Sequence, residues 1–433
     1  RPRILGVPTG DPYGPDKVEQ VGNVTVAGGS TIGQADRFNS VEVINRSTLD
    51  IRIKDMNVLY GGLPGPVVTI EGGLTSGSLT DIGTKRYAPT RIEMDSYHPA
   101  ASSGDFFIDG KIFNPTGSTK IVTAGGSILQ PNAAGGITTA TMVMEAPLGQ
   151  IGSESERIAI TFLQDAGLLP EPFLTVSAFG DVGLLVDALG DPQITLLEVR
   201  GLSSAAGSVH ADFTGLDLLI TELITAADLV SLTGLQDMID AHAGIFDIVA
   251  DKLFLRGTGS IGHFVVESNG TITSRYNAFE TQISWLEANI GSLYLSNSQP
   301  LNVGGIRGDN TGIRATGEID VQLPGILSVT EDIIGDGFVI LGAFDVEATQ
   351  DSVLMADHVR IESVFDNLTL LNGDVFLYNS THRLRAAGLL TIGMDQGNVD
   401  GGIGVTFTTP GGVDRVVMEA DELLLVTGPD NDT

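Results

Sequence analysis

Three short motifs in this sequence have residue types that could support binding chemistry. Arg307-Gly308-Asp309 is the tripeptide that integrins recognise when a tight turn presents its two charged side chains outward. Asp395 and Asp400 lie among glycines near a turn, and hard cations such as calcium bind clustered carboxylate oxygens. We take these residues as candidates for adhesion and for metal binding, respectively.

The third motif, Gly257-Thr-Gly-Ser-Ile-Gly262, has the glycine spacing of a dinucleotide-binding loop. Such a loop needs a helix that opens within the glycines, so that its N-terminus faces the pyrophosphate. The residues that follow, Phe264-Val-Val266, predict a strand instead, so we interpret the motif as a turn. A structural turn is also the favoured interpretation around Asp400, where the tandem repeat of calcium-binding β-rolls is not matched.

Known catalytic motifs are missing from the sequence. Its six histidines are dispersed, and neither a nucleophile-elbow motif nor a phosphate-binding P-loop motif is present. One Trp and seven Tyr are few aromatic residues for a sugar-binding groove. We therefore predict a non-catalytic protein without a cofactor, with calcium as the one candidate ligand. The alternative is a polysaccharide lyase or hydrolase on a parallel β-helix, whose carboxylates would converge only in the fold.

The elements that position these motifs repeat along the chain. Four hexapeptides share the pattern Ala-Asp-x-apolar-x-apolar, and they begin at Ala227, Ala250, Ala356 and Ala420. Their separations of 23, 106 and 64 residues are close to multiples of about 21. A strand with apolar residues at alternate positions cannot bury them alone, so the copies must stack. The pattern predicts an all-β fold, a right-handed parallel β-helix (β-solenoid) with coils of about 20–23 residues.

The same pattern predicts which side chains face the interior. The leading aspartate of each copy is expected to cap the preceding turn through its carboxylate. Lys252 and Arg360 are expected to face solvent. The residues expected inside the coil are Leu253, Leu255, Val359, Ile361, Leu423 and Leu425.

A second repeated element follows a similar logic. Met142-x-Met144-x-Ala146 precedes Gly149-Gln-Ile-Gly152, and Leu253-x-Leu255-x-Gly257 precedes Gly259-Ser-Ile-Gly262. We expect the alternate apolar residues to point into the coil, the small residue to allow a corner, and Gly-x-Ile-Gly to start the next strand. The stretch 216–248 mixes strand signals with helical periodicity and predicts strands with one inserted helical turn.

The repeat defines two regions. Residues 121–433 carry it and are predicted to form the repetitive β-solenoid. Residues 1–120 show the repeat poorly and are predicted to be an irregular N-terminal β region, which is either a set of altered coils or a separate β domain. Because neither end reads as a polar cap, we expect further sequence or another subunit to cover the last coil.

Composition narrows the classes of partner. The chain has 54 acidic and 23 basic residues, a formal net charge of −31, and no cysteine. Such a charge repels nucleic-acid phosphates and anionic lipid, and no apolar run reaches the ~18 residues of a membrane helix. We predict no nucleic-acid partner and no membrane insertion. The absence of cysteine excludes disulfides and thiolate metal sites.

Two stretches resemble the repeats of the large secreted filamentous adhesins of bacteria, the filamentous haemagglutinin and leukotoxin-type group. They are Ala250 to Gly262, and Glu280 to Ala288 with its continuation to Val303-Gly-Gly-Ile306. The resemblance implies export through the outer membrane and a structural or adhesive role in an extracellular fibre or cell-surface matrix. The implied partners are other copies of the chain, further segments of one long chain, and a host or neighbouring cell surface.

Overall fold

Strands fill the part of the chain that the structure, a computed structural model, describes. The described residues are 16–20, 40–45, 51–57 and 91–96, then 106–343 with gaps at 124–125, 132, 134, 163–171, 189–195, 243–245, 269–270, 277 and 309–310, and then 353–357, 360–363, 368–371, 374–378, 381–386, 389–393, 404–407, 415–419 and 422–426. None of these residues is helical, and so the described chain holds no helix that is long and apolar enough to cross a membrane.

The chain divides into two compact units, Arg1–Ala227 and Asp228–Thr433. The strands of the first unit are β1 Asp16–Gln20, β2 Ser40–Asn45, β3 Ile51–Asn57, β4 Arg91–Ser96, β5 Phe106–Thr123, β6 Ile128–Leu129, β7 Gly136–Ala146, β8 Ile158–Phe162, β9 Phe173–Ala178, β10 Val182–Ala188, β11 Leu196–Ser204 and β12 Val209–Ala226.

The second unit begins with β13 Leu229–Asp240, β14 Ile248–Val249, β15 Lys252–Gly257, β16 Ser260–Ile261, β17 His263–Ser268, β18 Thr271–Tyr276, β19 Phe279–Gln282, β20 Trp285–Ile290, β21 Ser292–Asn297, β22 Leu301–Val303, β23 Thr311–Ala315 and β24 Ile319–Leu323. It continues with β25 Ile326–Val329, β26 Asp332–Gly335, β27 Val339–Ala343, β28 Val353–Asp357, β29 Arg360–Ser363, β30 Leu368–Leu371, β31 Asp374–Tyr378, β32 Thr381–Ala386, β33 Leu389–Gly393, β34 Gly404–Phe407, β35 Arg415–Glu419 and β36 Glu422–Val426.

In the first unit, parallel strands stack with like side chains above one another. Ile160 on β8 pairs with Val186 on β10, which pairs with Phe213 on β12. These three side chains are at most 1% exposed. Because inward-facing residues alternate along every strand, each coil adds one layer to a continuous core.

The second unit shows the full coil, which consists of three strands. From β20 onward each strand pairs in parallel with the third strand after it. One face contains β20, β23, β26, β29, β32 and β35. The next contains β21, β24, β27, β30, β33 and β36, and the third contains β22, β25, β28, β31 and β34. The predicted parallel β-solenoid is confirmed.

The first two Ala-Asp copies stack directly on each other. Val230 on β13 pairs with Leu253 on β15, 23 residues later, and Leu232 pairs with Leu255. All four side chains are fully buried, whereas Lys252 is partly exposed. The predicted inward positions of Leu253 and Leu255 are therefore confirmed. Burying one such leucine stabilises the fold by about 1.5–3 kcal/mol.

The two later copies do not follow the predicted multiples of 21. The strand of the third copy, β29, lies four coils from β15 on the same face, not five. The strand of the fourth copy, β36, lies on the adjacent face. The reason is variable coil length: Ile313 pairs with Ile333, 20 residues later, but Leu384 pairs with Met418, 34 residues later. Val359 and the side chains of Arg360, Ile361, Leu423 and Leu425 lie outside the described part.

A stacked column of glycines forms one corner of each unit. Gly180 N donates to Gly149 O (2.9 Å), and Gly317 N donates to Gly291 O (2.7 Å). A Cβ atom on Gly149 would lie 2.0 Å from the carbonyl oxygen of Gly126, so the coils approach too closely for any side chain. We call these residues the corner column: Gly126, Gly149, Gly180 and Gly207 in the first unit, and Gly259, Gly291, Gly317 and Gly337 in the second.

Each corner glycine is followed, after one residue, by a buried aliphatic residue. These residues are Ile128, Ile151, Val182, Val209, Ile261, Leu293, Ile319 and Val339. The expectation that Gly-x-Ile begins a new strand at a corner is thus confirmed. The sequence suggested two copies of this element, and the described residues contain these eight.

The residue between the glycine and the aliphatic residue often links adjacent coils. Asp181 Oδ1 accepts from Ser208 N (2.9 Å), and Ser292 Oγ accepts from Glu318 N (3.1 Å). The carboxylate of Asp228, the leading aspartate of the first Ala-Asp copy, accepts a hydrogen bond from Lys252 Nζ (2.8 Å), because the stacked copy places that ammonium group beside it. The cap predicted for these aspartates stays a prediction.

The stretch 216–248 contains no helical turn among its described residues, contrary to prediction. Leu218 and Ile220 are buried at alternate positions of β12, as in a strand. Gly215, with φ of +75°, turns β12 around a corner, so that its halves pair with β10 and β11. The part of β12 that follows this corner is therefore extended strand, and its apparent helical period does not reflect a helix.

The described segments of residues 1–120 also pair in parallel. β1 pairs with β2, β2 with β4, and β4 with β5. The compact units meet between Ala227 and Asp228, whereas the predicted boundary at residue 120 concerned the regularity of the repeat and stays a prediction.

Gly257–Gly262 runs from the last residue of β15 through the short strand β16, and the next element is strand β17, which forms an antiparallel hairpin with β18. The motif with dinucleotide-loop spacing is therefore part of a coil corner, as predicted.

Candidate functional site

Three carboxylates that are distant in sequence converge in the second unit. Asp240 is the last residue of β13, Asp247 precedes β14, and Glu280 is the second residue of β19. One oxygen from each lies within 4.8 Å of the others. We call Asp240, Asp247 and Glu280, together with His242, the carboxylate cluster. No sequence motif indicated it, because the parallel pairing of β14 with β19 brings these residues together.

Asp247 is bonded to Glu280 through both its main chain and its side chain. Asp247 N donates to Glu280 O (2.7 Å), and Glu280 N donates to Asp247 Oδ2 (2.9 Å). These two bonds extend the parallel pairing by one residue before β14 begins. Asp247 therefore links the start of β14 to the next coil.

His242 closes the connection between β13 and β14. Its main-chain N donates to Asp240 Oδ1 (2.7 Å), and its Nδ1 lies 2.9 Å from Phe246 O. The same Nδ1 is 3.8 Å from Asp247 Oδ1. The imidazole thus lies against both the connecting chain and the buried carboxylate.

Burial and neighbouring charge make Asp247 hold a proton. Its side chain is 2% exposed. Burial raises its pKa most, and the adjacent Asp240 adds to this through its charge and a side-chain hydrogen bond, so that the pKa of Asp247 is about 8. The bond from Glu280 N lowers the pKa but does not offset these effects. At neutral pH one proton is therefore shared within the cluster.

The proton determines what this arrangement can do chemically. The oxygen spacing would suit a cation, but Asp247 Oδ2 and Asp240 Oδ1 already accept main-chain N–H bonds. The retained proton also neutralises one of the three carboxylates. We therefore interpret the cluster as a proton-holding site. The calcium candidates Asp395 and Asp400 lie outside the described residues.

A second polar arrangement surrounds Glu287 on β20, whose side chain belongs to a residue only 1% exposed. Its Oε1 and Oε2 each accept from Arg307 N at 2.9 Å, and Oε1 also accepts from Ile306 N. Gly305 N donates to Glu331 Oε1 (3.0 Å). Two carboxylates therefore hold the segment 305–307, which we call the clamped loop, against the coils.

The side chain of Arg307 reaches across stacked strands. Its guanidinium carbon lies 4.7 Å from the ring centroid of Phe254 on β15, and Nη2 lies 3.2 Å from Ser231 Oγ on β13. Ser231, Phe254 and Glu287 occupy equivalent positions on three successive strands. The guanidinium group therefore lies along the outer face of the coils.

The adhesion candidate Arg307-Gly308-Asp309 is described in part. Gly308 has φ of +73° and no neighbouring atom within 4 Å of where a Cβ would lie, as expected of a turn. Asp309 lies outside the described residues. Integrin binding by this tripeptide would require Arg307 to leave Phe254 and Ser231, and it stays a prediction.

The single tryptophan lies beside the clamped loop. A Cβ atom on Gly305 would be 3.2 Å from Cζ3 of Trp285, so the loop backbone packs against the indole ring. Trp285 is part of β20 and is partly buried. Its ring supports the loop on the coil.

A comparable loop lies over the first unit. Ser153 O approaches Gly183 so closely that a Cβ there would be 2.0 Å away. The same loop also reaches β12, where Arg157 Nη1 lies 3.7 Å from Asp212 Oδ2. Loops in both units thus fold back over stacked strands.

No family model matches this sequence, and neither a curated protein nor a solved structure matches it. The resemblance to filamentous adhesin repeats remains an expectation, and the classification that the structure itself supports is a parallel β-solenoid.

Proposed function

We propose that this chain is a non-catalytic structural or adhesive module of a secreted extracellular fibre or cell-surface matrix protein. Its partners are other copies of the chain or further solenoid segments of one long chain. A host or neighbouring cell surface is the adhesion target. This proposal joins the resemblance of the repeats to the architecture of the coils.

The observation that supports it most is how the coils are fastened to one another. The corner column brings successive main chains into direct hydrogen-bonded contact, as from Gly291 N to Gly259 O (2.8 Å). Side chains add links between coils, such as Lys120 with Glu145 (3.2 Å) and Thr221 with Glu198 (3.1 Å). Each link runs along the stacking direction, and an assembly under tension would load many of them together.

The clamped loop supports a structural role in the same way. Glu287, Arg307 and Trp285 have the chemistry of a carbohydrate site: an acid, a cation and an aromatic ring. Here Glu287 accepts main-chain N–H bonds and Arg307 lies on Phe254. These side chains hold the loop in place, which is a structural role.

Composition is consistent with this function. A net charge of −31 keeps such a chain soluble and limits side-by-side aggregation. The absence of cysteine leaves no thiol to form a disulfide in an oxidising compartment. Both properties suit a protein that is exported and then assembled outside the cell.

Immunogold electron microscopy of intact producing cells tests the proposal. Antibody raised against residues 1–433 should label surface fibres or extracellular matrix, and permeabilised cells serve as the control for internal protein. Labelling confined to permeabilised cells would contradict it. A parallel screen against acidic and neutral polysaccharides should yield no product. Cleavage that disappears when one surface carboxylate is replaced would establish the enzyme alternative.

A further inference from the structure

We propose that Asp240, His242, Asp247 and Glu280 form a proton-operated latch that fastens the chain between β13 and β14 to the next coil. The latch is closed while the cluster holds one proton, and it opens when that proton is lost. This inference concerns a conformational switch within the fold and does not depend on the proposed function.

The closed state is defined by bonds that meet at Asp247. Its main-chain N–H and its Oδ2 both bond to the main chain of Glu280. On the other side, His242 bonds to Asp240 Oδ1 and to Phe246 O. Asp240 and Asp247, which lie on either side of this connection, are thereby tied to elements of the stacked core. Asp247 takes part in both sets of contacts.

The charged groups around Asp247 make the closed state depend on a proton. Asp240 faces it from β13, Glu280 from β19 and His242 from the connecting chain. With the proton present, the two aspartates share a hydrogen bond, and one negative charge is removed from the cluster. Without it, three carboxylates would lie within 4.8 Å of one another, and Asp247 would carry a charge in a site almost closed to water.

Opening relieves both penalties because it returns Asp247 to water. The bonds that this breaks are two links to β19, whereas the apolar stacking of Ile248 can remain. The transition is therefore local. The pKa of Asp247 is about 8 in the closed latch and about 4 once the carboxyl is in water. The equilibrium constant for opening therefore grows about tenfold per pH unit between about pH 4 and about pH 8, and it is constant above that range.

Amide hydrogen exchange measured by mass spectrometry on the full chain tests the latch. Exchange of peptides covering residues 246–250 and 279–282 is followed from pH 5 to 9 and divided by the intrinsic rate at each pH. Wild-type protection should fall about tenfold per pH unit up to about pH 8 and then stay constant. Peptides covering 253–256 on β15 should keep their protection throughout.

Asp247→Asn is the decisive variant, since the amide keeps an oxygen for Glu280 N–H and can donate to Asp240 without titrating. Its protection should not change with pH. Asp251→Asn, an exposed neighbour, is the matched control and should behave as wild type. If Asp247→Asn fails to fold, Asp240→Asn replaces it and should reduce the loss of protection with rising pH, because one like charge is gone.

Three results would overturn the latch. The first is wild-type protection that stays constant from pH 5 to pH 8. The second is an Asp247→Asn variant that loses protection with the wild-type pH dependence. The third is an increase in protection of the same peptides when calcium is added at pH 7, which would make the cluster a cation site.

Discussion

Single carboxylates fix the outer surface of the second unit. Glu287 binds two successive main-chain N–H groups of the clamped loop, and Glu331 binds a third. Hydrogen bonds to a charged acceptor contribute about 1.5–3 kcal/mol each, more than bonds between neutral groups. One buried glutamate can therefore determine whether a loop packs on the coil or detaches from it.

Replacing Glu287 with glutamine should release the clamped loop. The amide keeps one acceptor oxygen but loses the charge, so we expect the free energy of unfolding to fall by about 1–2 kcal/mol. Limited proteolysis within 304–308 should accelerate in step, as measured by mass spectrometry. Glu222→Gln, at an exposed position, is the control and should change neither quantity. Equal resistance of Glu287→Gln and wild type would show that the carboxylate does not hold the loop.

The raised pKa of Asp247 has a definite consequence for global stability. Its carboxyl binds a proton more tightly in the folded chain, with a pKa of about 8, than in the unfolded chain, where it is about 4. The resulting stabilisation is full below about pH 4 and is lost as pH rises to about 8.

We therefore expect wild type to lose stability relative to Asp247→Asn across that range, by roughly 1 kcal/mol per pH unit. Equilibrium denaturation of both proteins at pH 5, 6, 7 and 8 measures the difference, and Asp251→Asn corrects for general charge effects. A difference that is constant with pH, or that grows in favour of wild type, would refute the assignment.

The strand and its corner are the elements that the sequence encodes most clearly. Alternating apolar residues predicted both the parallel stacking and the inward direction of Leu253 and Leu255. Gly149-x-Ile and Gly259-x-Ile predicted corners. Further corners escaped detection because the intervening residue and the aliphatic residue vary, while the glycine alone is constant. The distance between corners also varies, for example 20 residues from Gly317 to Gly337 but 32 from Gly259 to Gly291.

The carboxylate cluster and the clamped loop were harder to predict from the sequence because the distance between corners varies. Asp247 and Glu280 are 33 residues apart, and their contact depends on the length of every connection between β14 and β19. Arg307 reaches Ser231 across 76 residues of chain because a loop folds back over three strands. Register of this kind is set by the whole coil rather than by a local motif.

The corner column can be tested by adding a single methyl group. Gly149→Ala would place Cβ 2.0 Å from Gly126 O, and the main chain there must move. For Gly180→Ala the nearest atom to the new Cβ is the Cβ of Gln150 at 3.2 Å, and the nearest main-chain atom is 3.6 Å away, so this variant is the matched control from the same column.

We expect the first variant to lose about 1–3 kcal/mol of stability and the second less than about 1 kcal/mol, measured by equilibrium denaturation. Equal losses for the two alanine variants would show that close main-chain contact at the corner does not limit the sequence.

On the scale of the whole molecule, stacking and charge act in opposite directions. The end coils of a β-solenoid present unpaired strand edges, and these edges favour continuation by further strands. A net charge of −31 opposes the approach of a second chain, and this repulsion weakens as salt or divalent cations screen it. An assembling module with this composition should therefore associate in a cation-dependent manner.

Whether this chain works as an assembling solenoid module can be tested by light scattering, which measures the molar mass of purified residues 1–433 with and without calcium. Added sodium chloride of equal ionic strength is the control for simple screening. We expect masses well above the 45.3 kDa of one chain, which increase with protein concentration and increase more strongly with calcium. A stable mass of a single chain under every condition would contradict it.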